Sequence, residues 1–321
     1  MKIVVLDGYT LNPGDLDWSG LAALGELVVY ERTPVTEIVS RASGAEVIFT
    51  NKTIVNAAMI SELTALRFIG TLSTGYNIVD TDAAAKHGIV VCNVPGYGSA
   101  SVVQLTFSLI LEHFNQVALH NVAVKAGEWV SSNDFSFTKS PLHEISGKTI
   151  GIIGFGAIGQ QVADVATAFG MHVIAYSRTR TDQANRKNFR WVDQDKLFKT
   201  SDIISIHCPL TEQTRGMINK QTLGLMKPIV FLVNTARGPI INETDLAEAL
   251  NNNVIAGAGL DVLSTEPPVP DNPLLTARNC IITPHIAWAT REARQRLMAI
   301  TISNLRAYKE GKPVNIVNKV K

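Results

Sequence analysis

The chain has 321 residues, of which 46% are hydrophobic and 18% charged, an ordinary globular balance for about two domains. Lysine and arginine number 29 against 28 acidic residues, with no basic block, which argues against a protein that binds nucleic acid or a membrane surface. No apolar run reaches the roughly 18 residues that a bilayer span needs, and the first one is too short for a secretory signal. Cys92, Cys208 and Cys280 form no CxxC pair, which is typical of reduced thiols in a cytoplasmic protein, and no metal site is predicted.

Short apolar runs predict five strands in the first part of the sequence, at 2–7, 27–30, 47–50, 68–72 and 89–92. Helical patterns lie between them, for example at 56–66 and 80–87, and Gly88 ends the second. This alternation predicts an α/β unit that ends near residue 95. A long helix follows, with Ser99 or Ser101 as its cap and apolar residues recurring to Val117.

A second series of elements begins after a polar stretch at 127–148. Strands are predicted at 149–153, 172–176, 203–206, 229–233, 255–260 and 280–283, and a last long helix at 290–309. We therefore predict an α/β protein with two doubly wound domains. A Rossmann dinucleotide-binding domain covers 99–286, and a smaller flavodoxin-like substrate domain covers 1–98 and 287–321. Ligands of such sheets bind beyond the carboxyl ends of the strands, so the gap between the domains is a natural cleft.

The segment GIIGFGAIG (151–159) follows an apolar strand and opens a helix, which is the context that gives a GxGxxG pattern its value. Gly154 allows the tight turn, Gly156 lets a pyrophosphate approach, and Gly159 lets the helix pack on the strand. The backbone amides of Ala157 and Ile158 would then face the phosphates at the positive end of the helix.

The next predicted strand ends in Ser177 and Arg178. An NAD site usually has an acidic residue here, which binds the 2′-hydroxyl of the ribose. An arginine can instead stack on adenine or bind a 2′-phosphate. The residues alone therefore leave the choice between NAD and NADP open.

Three ionisable side chains each follow an apolar strand in the second domain. Arg237 lies in NTARG (234–238), Glu266 in GLDVLSTEPP (259–268) and His285 in TPHIAWAT (283–290). Taken alone, Arg237 could be an ordinary polar residue where the backbone leaves the core, because arginine is mostly exposed in proteins.

These segments combine with STGYNIVD (73–80), NVPGYGSASV (93–102) and HCPLTEQTRGMIN (207–219) in a specific order. The sequence resembles the D-isomer-specific 2-hydroxyacid dehydrogenases over nearly its whole length. Within that family, TGYN, VPGYG and HIAWATREAR are most similar to the glycerate dehydrogenases, also called hydroxypyruvate reductases.

The resemblance implies a role for each of the three side chains, and the chemistry of keto-acid reduction agrees with it. His285 would give a proton to the carbonyl oxygen, because imidazole titrates near neutral pH. Glu266 would bond the other ring nitrogen, fix the ring and favour its protonated form. Arg237 would hold the substrate carboxylate with its planar fork.

The resemblance also implies further contacts. Substrate would be held by Thr74, Gly75 and Tyr76, and lined by Tyr97 and Trp288, for which packing is the alternative role. The cofactor would contact Cys208, Pro209, Thr214, Thr235 and Ala236, with Asp261 bonding the nicotinamide carboxamide.

We therefore expect a cytoplasmic homodimer that interconverts hydroxypyruvate and D-glycerate, with glyoxylate as a second substrate. NAD(H) is favoured by the resemblance and NADP(H) is the alternative. Another small 2-hydroxy acid of the D series is a possible substrate, and an NAD-sensing corepressor-like binding protein is the alternative function, since such relatives keep the three residues. No nucleic-acid or membrane partner is predicted.

Overall fold

The computed structural model describes residues 1–319, and their contacts divide the protein into two compact units. The first unit comprises Met1–Gly98 and a C-terminal segment that begins at Ala289; the second is Ser99–Trp288. The backbone was expected to return to the first unit at residue 287. It stays with the second unit through Trp288, because Ala287 donates its N–H to Asp261 and accepts a hydrogen bond from Ser101, both in that unit.

The first unit is built on five parallel strands. They are β1 (Lys2–Val5), β2 (Glu26–Val29), β3 (Val47–Thr50), β4 (Phe68–Thr71) and β5 (Val90–Cys92). Their order in the sheet is β2-β1-β3-β4-β5, which is that of flavodoxin-like doubly wound sheets. Strands β3 and β4 are buried along their whole length, as central strands covered on both faces should be.

Short helices connect these strands: α1 (Ser19–Ala22), α2 (Ile38–Ala42), α3 (Ala57–Glu62) and α4 (Thr81–Lys86). The side chains of Asn56 and Asp80 cap α3 and α4 by accepting backbone N–H groups of the first turn. Helix α3 ends before the expected residue 66, because Leu63 leaves the helical conformation with a ψ of 67°.

The second unit contains seven parallel strands. They are β6 (Thr149–Ile153), β7 (His172–Tyr176), β8 (Phe189–Trp191), β9 (Ile203–Ile206), β10 (Phe231–Asn234), β11 (Gly257–Leu260) and β12 (Cys280–Ile282). Their order is β12-β11-β10-β9-β6-β7-β8, so the direction of winding reverses between β6 and β9. This is the Rossmann arrangement, and ligands bind at such a reversal, beyond the carboxyl ends of the strands. The predicted fold class is confirmed.

The helices of the second unit are α5 (Ser99–Asn115), α6 (Val117–Lys125), α7 (Ala157–Ala168), α8 (Gln194–Thr200), α9 (Lys220–Leu223) and α10 (Glu243–Asn251). The long helix expected to reach Val117 breaks at Gln116, whose φ of 46° interrupts the helical backbone. Strand β8 was not predicted, because Arg190 lies in its middle and the segment forms no apolar run. Strand β10 begins at Phe231 rather than 229, and Ile229 is largely exposed.

The last helix, α11 (Arg291–Lys309), belongs to the first unit. Thr290 caps it, and Arg294 binds both carboxylate oxygens of Asp15 at 2.7 Å. This bidentate pair fixes the loop after β1 to the start of the helix. Within residues 1–319, no helix combines the length and the apolar character that crossing a membrane requires.

Candidate active site

The glycine-rich turn connects β6 to α7 at the carboxyl end of the second sheet. Gly154 has a φ of 90°, and a Cβ there would lie 2.6 Å from the backbone nitrogen of Cys208. A Cβ on Gly159 would lie 2.2 Å from the carbonyl oxygen of Gly154. The close approach of backbone to backbone therefore requires glycine at both positions.

The amino end of α7 has the features of an anion site. Gly156 precedes the helix and gives it no side-chain cap. A Cβ built on Gly156 would meet no atom within 4 Å, so the protein leaves room beside this helix end. The N–H groups of Ala157 and Ile158 lie in the first turn, where the helix offers no acceptors and its dipole favours a negative charge. These residues fit the pyrophosphate of a dinucleotide.

Other residues predicted to contact the cofactor follow neighbouring strands of the sheet. Ser177 and Arg178 come after β7, and Cys208 and Pro209 come after β9. Burial raises the pKa of the Cys208 thiol to about 11, so the thiol stays protonated at neutral pH. The hydroxyl of Thr214 donates to the Pro209 carbonyl at 2.8 Å and so shapes this loop. Their contacts with a cofactor stay predictions.

Arg237 lies in a turn after β10 that a buried side chain holds in place. Asn234 is fully buried; its Oδ1 accepts the N–H of Ala236 and its Nδ2 donates to the carbonyl of Arg237, both at 3.0 Å. The Arg237 guanidinium is exposed and donates through Nη1 to the Ala236 carbonyl at 2.7 Å. Its other N–H groups have no hydrogen-bond partner among residues 1–319. They can therefore bind an anion without breaking a native contact.

The turn of Arg237 packs against the loop that carries Glu266. A Cβ on Gly238 would lie 2.0 Å from the carbonyl carbon of Leu263 and 2.4 Å from the nitrogen of Ser264. Glu243, the first residue of α10, accepts the N–H of Ser264 at 2.5 Å. The two loops are thus held in direct contact, and only a glycine permits their approach at residue 238.

A buried carboxylate shapes the loop that carries His285. Asp261 is 1% exposed and accepts hydrogen bonds from the Thr283 hydroxyl at 2.6 Å. It also accepts the N–H groups of Ile286 and Ala287 at 2.8 Å. Its carbonyl accepts the N–H of His285, which has a left-handed φ of 54°. Burial raises the pKa of the Asp261 carboxyl, and these hydrogen bonds oppose the shift. The bond from Asp261 to a nicotinamide carboxamide stays a prediction.

His285 and Glu266 form a short hydrogen-bonded pair, with 2.5 Å between Nδ1 and Oε2. The second carboxylate oxygen of Glu266 accepts the N–H of Leu263 at 3.1 Å, which fixes the carboxylate plane. About a quarter of the His285 side chain is exposed (26%), so a substrate can reach the ring. Because Nδ1 is bonded to a carboxylate, it carries a proton, and Nε2 is the nitrogen that can act on a ligand.

Thr235 and Trp288, also predicted at the site, lie within the second unit. Thr235 is buried, with its hydroxyl 3.4 Å from that of Thr106, and Trp288 is half-buried. Among residues 1–319 the structure gathers no group of three or more His, Cys, Asp or Glu side chains that could hold a metal ion.

The predicted substrate loop Thr74-Gly75-Tyr76 follows β4 in the first unit. The Thr74 hydroxyl donates to the carbonyl of Val94 at 2.9 Å, which fixes the start of the loop. The Tyr76 side chain is exposed, whereas Tyr97 is only 7% exposed, a burial that fits the packing alternative. Substrate contacts of these residues stay predictions.

Sequence reasoning missed three residues that build the site: Asn234, Gly238 and Glu243. Asn234 and Gly238 stand at the two ends of the NTARG segment, and a buried amide directly after an apolar strand was the available signal. Glu243 gave no such signal, because its partner Ser264 is distant in sequence.

Comparison with known proteins identifies the same family that the sequence motifs resemble. A family model described as "D-isomer specific 2-hydroxyacid dehydrogenase, NAD binding domain" matches residues 107–287, more than half of the chain. The sequence is 50% identical to a hydroxypyruvate reductase of Blautia hydrogenotrophica, covering 99% of this protein and all of the relative. It is 38% identical to a glycerate dehydrogenase of Methylorubrum extorquens, covering 98% of each.

A solved structure described as D-lactate dehydrogenase from Aquifex aeolicus with NAD and lactic acid superposes with a TM-score of 0.82. The two proteins share 29% identity, over 97% of this one and 96% of the other. The nicotinamide dinucleotide site that the glycine turn indicates is therefore a property of the family. This protein belongs to the D-isomer specific 2-hydroxyacid dehydrogenases.

Proposed function

We propose that the protein reduces hydroxypyruvate to D-glycerate with NAD(P)H. The observation that carries this proposal is the His285–Glu266 pair at 2.5 Å, in a loop cluster that also contains the exposed guanidinium of Arg237. The identity to a hydroxypyruvate reductase and a glycerate dehydrogenase supports this choice of keto acid. Glyoxylate, which has the same carboxylate beside a carbonyl, is proposed as a second substrate.

Arg237 would bind the substrate through its carboxylate. The guanidinium presents parallel N–H groups that match the two oxygens of a carboxylate, a geometry that lysine lacks. Asn234 holds the backbone of the turn through Ala236 and Arg237, so the side chain of Arg237 leaves the backbone at a fixed place. Binding the anion at this place orients the adjacent carbonyl carbon for reduction.

His285 would give the proton that the new hydroxyl group needs. A nicotinamide dinucleotide, held by the glycine turn at Gly154–Gly159, would supply the hydride for the carbonyl carbon. As charge develops on the carbonyl oxygen, Nε2 of His285 donates a proton to it, and Glu266 stabilises the ring while it is positively charged. In the reverse direction the neutral ring accepts the hydroxyl proton.

The test is oxidation of NADH and NADPH by the purified protein with hydroxypyruvate, glyoxylate, pyruvate and phenylpyruvate. We expect hydroxypyruvate to have the highest kcat/KM and the product to be the D isomer of glycerate. Tight dinucleotide binding with negligible turnover of all four acids would overturn the proposal and favour the binding-protein alternative.

We also propose that the protein forms a homodimer through the segment after α5. Apolar side chains are unusually exposed there, including Val122 (65%), Trp129 (52%), Val130 (92%) and Phe135 (91%). A group of this kind on a monomer usually marks an interaction surface. Light scattering should give twice the 34.8 kDa of one protomer, and the mass of a monomer would contradict the proposal. The cytoplasmic location stays a prediction.

A further inference from the structure

The residues at the end of β7 lack the feature that selects NAD. The segment Tyr176-Ser177-Arg178-Thr179-Arg180 contains two arginines and no carboxylate. In NAD-binding Rossmann domains, an acidic residue at this place accepts a hydrogen bond from the ribose 2′-hydroxyl, and its negative charge repels a 2′-phosphate. Nothing in this segment would repel a phosphate.

The sheet places this segment beside the glycine turn. Ile153 of β6 pairs with Tyr176 of β7, and the N–H of Gly154 donates to the Tyr176 carbonyl at 2.8 Å. Ser177 and Arg178 therefore leave the sheet directly next to the turn that would hold the pyrophosphate. In this fold the adenine ribose lies over the end of this strand.

The arginines of this region differ in their contacts. Arg180 donates to Asp193 at 2.8 Å and to the Val192 carbonyl at 3.1 Å, and Arg186 is paired with Asp164. By contrast, within the part of the protein that the structure describes, Arg178 forms no hydrogen bond or ion pair, and it is exposed. Its guanidinium can bind a ligand without giving up an internal partner.

The position of Arg178 supports a place at the cofactor. Its positive charge acts on Cys208, where it opposes the rise in the pKa of that thiol caused by burial. Cys208 follows β9 and lies against Gly154, on the far side of the turn. Arg178 and Cys208 thus follow β7 and β9, the two strands that flank β6, and β6 leads into the glycine turn.

We infer that the protein prefers NADP(H) over NAD(H), with the Arg178 guanidinium binding the 2′-phosphate and the Ser177 hydroxyl donating to it. Arginine and phosphate form bidentate, charge-assisted hydrogen bonds, which are stronger than those between neutral groups. The inference rests on the proposed function only in that the protein uses a nicotinamide dinucleotide; it does not depend on which keto acid is reduced.

The test uses equilibrium binding of adenosine 2′,5′-bisphosphate and 5′-AMP, which carry no nicotinamide, measured by calorimetry together with NADPH and NADH. The unmodified protein should bind adenosine 2′,5′-bisphosphate at least about tenfold more tightly than 5′-AMP, and NADPH at least about tenfold more tightly than NADH. Arg178→Gln should remove this difference and leave the affinity for 5′-AMP unchanged. Ser177→Asp should reverse the preference in favour of the ligands without a 2′-phosphate, because it introduces the carboxylate that NAD-binding Rossmann domains have at this place.

Arg180→Gln is the matched control, since it makes the same charge change two residues away, at an arginine already paired with Asp193. It should keep the preference for the 2′-phosphate. Equal affinity of the unmodified protein for both nucleotides would overturn the inference. So would an Arg178→Gln variant that loses 5′-AMP as strongly as the bisphosphate, which indicates stacking on adenine. Adenosine 2′,5′-bisphosphate and 5′-AMP bind without any reaction. The binding result therefore stands even if the protein reduces none of the four keto acids.

Discussion

Replacing the buried Asn234 by alanine tests whether the turn that it holds positions Arg237. The side chain forms two hydrogen bonds, to the Ala236 N–H and the Arg237 carbonyl, each of 3.0 Å. Asn234→Ala removes both and leaves a donor and an acceptor without a partner. The backbone that carries the Arg237 side chain is then no longer held, so we expect weaker substrate binding as well as lower stability.

The size of the effect follows from the two lost bonds. An unsatisfied buried group costs about 1–3 kcal/mol, and the lower end applies here because the turn is partly exposed and water can reach it. The sum of about 2 kcal/mol corresponds to a fall in Tm of roughly 4–8 °C for a unit of this size. If the free energy of substrate binding also weakens by half of that amount, about 1 kcal/mol, KM for hydroxypyruvate rises about fivefold.

The assay combines thermal unfolding with steady-state kinetics. Asn318→Ala is the matched control, because Asn318 also bonds one backbone N–H (Val91) and one carbonyl (Ile89), but it lies in the first unit. It should lower Tm by a similar amount and leave KM unchanged. An Asn234→Ala variant with the KM of the unmodified protein, or an equal rise in KM for Asn318→Ala, would refute the reasoning.

Three further predictions follow from the site and its surroundings. His285→Ala should lower kcat for reduction by about 10²–10⁴-fold and leave dinucleotide affinity unchanged in a calorimetric titration; parallel loss of both would mean that the ring is not the proton donor. Gly238→Ala would place a Cβ 2.0 Å from the carbonyl carbon of Leu263, so it should lower stability by about 3 kcal/mol and abolish most turnover, whereas Gly224→Ala, with nothing closer than 3.4 Å, should be harmless. His113 stacks on Phe231, and burial lowers the pKa of its imidazole from 6.5 to about 4. As the pH falls below 6.5, the imidazole takes up a proton in the unfolded chain but stays neutral in the folded protein until about pH 4. The free energy of unfolding should therefore fall by about 2 kcal/mol between neutral pH and pH 5. Urea unfolding at these two pH values should show a smaller loss for His113→Phe than for the unmodified protein, and an equal loss would contradict the assignment.

The sequence was sufficient for the α/β class and for eleven of the twelve strands, and it supplied the charged residues that are proposed to act at the site. Arg237 and His285 could be proposed as site residues because each follows an apolar strand, and parallel strands bring their carboxyl ends to one edge of a sheet. The glycine turn could be predicted because the close backbone contacts of Gly154 and Gly159 leave no room for a side chain. The sequence must therefore keep glycine at both positions, and this spacing is visible as a motif.

The supporting contacts could not be predicted, because they depend on atoms that are far apart in sequence. The contact of Asp261 with the cofactor stays a prediction, whereas the hydrogen bonds of its buried carboxylate to three groups of the loop around His285 could not be read from the sequence. The break at Gln116 was equally hidden, since a left-handed residue leaves the apolar pattern of the flanking helices intact.

The proposed reaction requires that Arg237 and His285 act on one small anion. A crystal structure of the protein with NADP⁺ or NAD⁺ and oxamate, an unreactive analogue of a 2-keto acid, tests this requirement most directly. We expect the oxamate carboxylate at about 2.8 Å from two guanidinium nitrogens of Arg237 and its carbonyl oxygen at a similar distance from Nε2 of His285. Oxamate bound beside the dinucleotide but out of reach of either side chain would contradict the proposed mechanism.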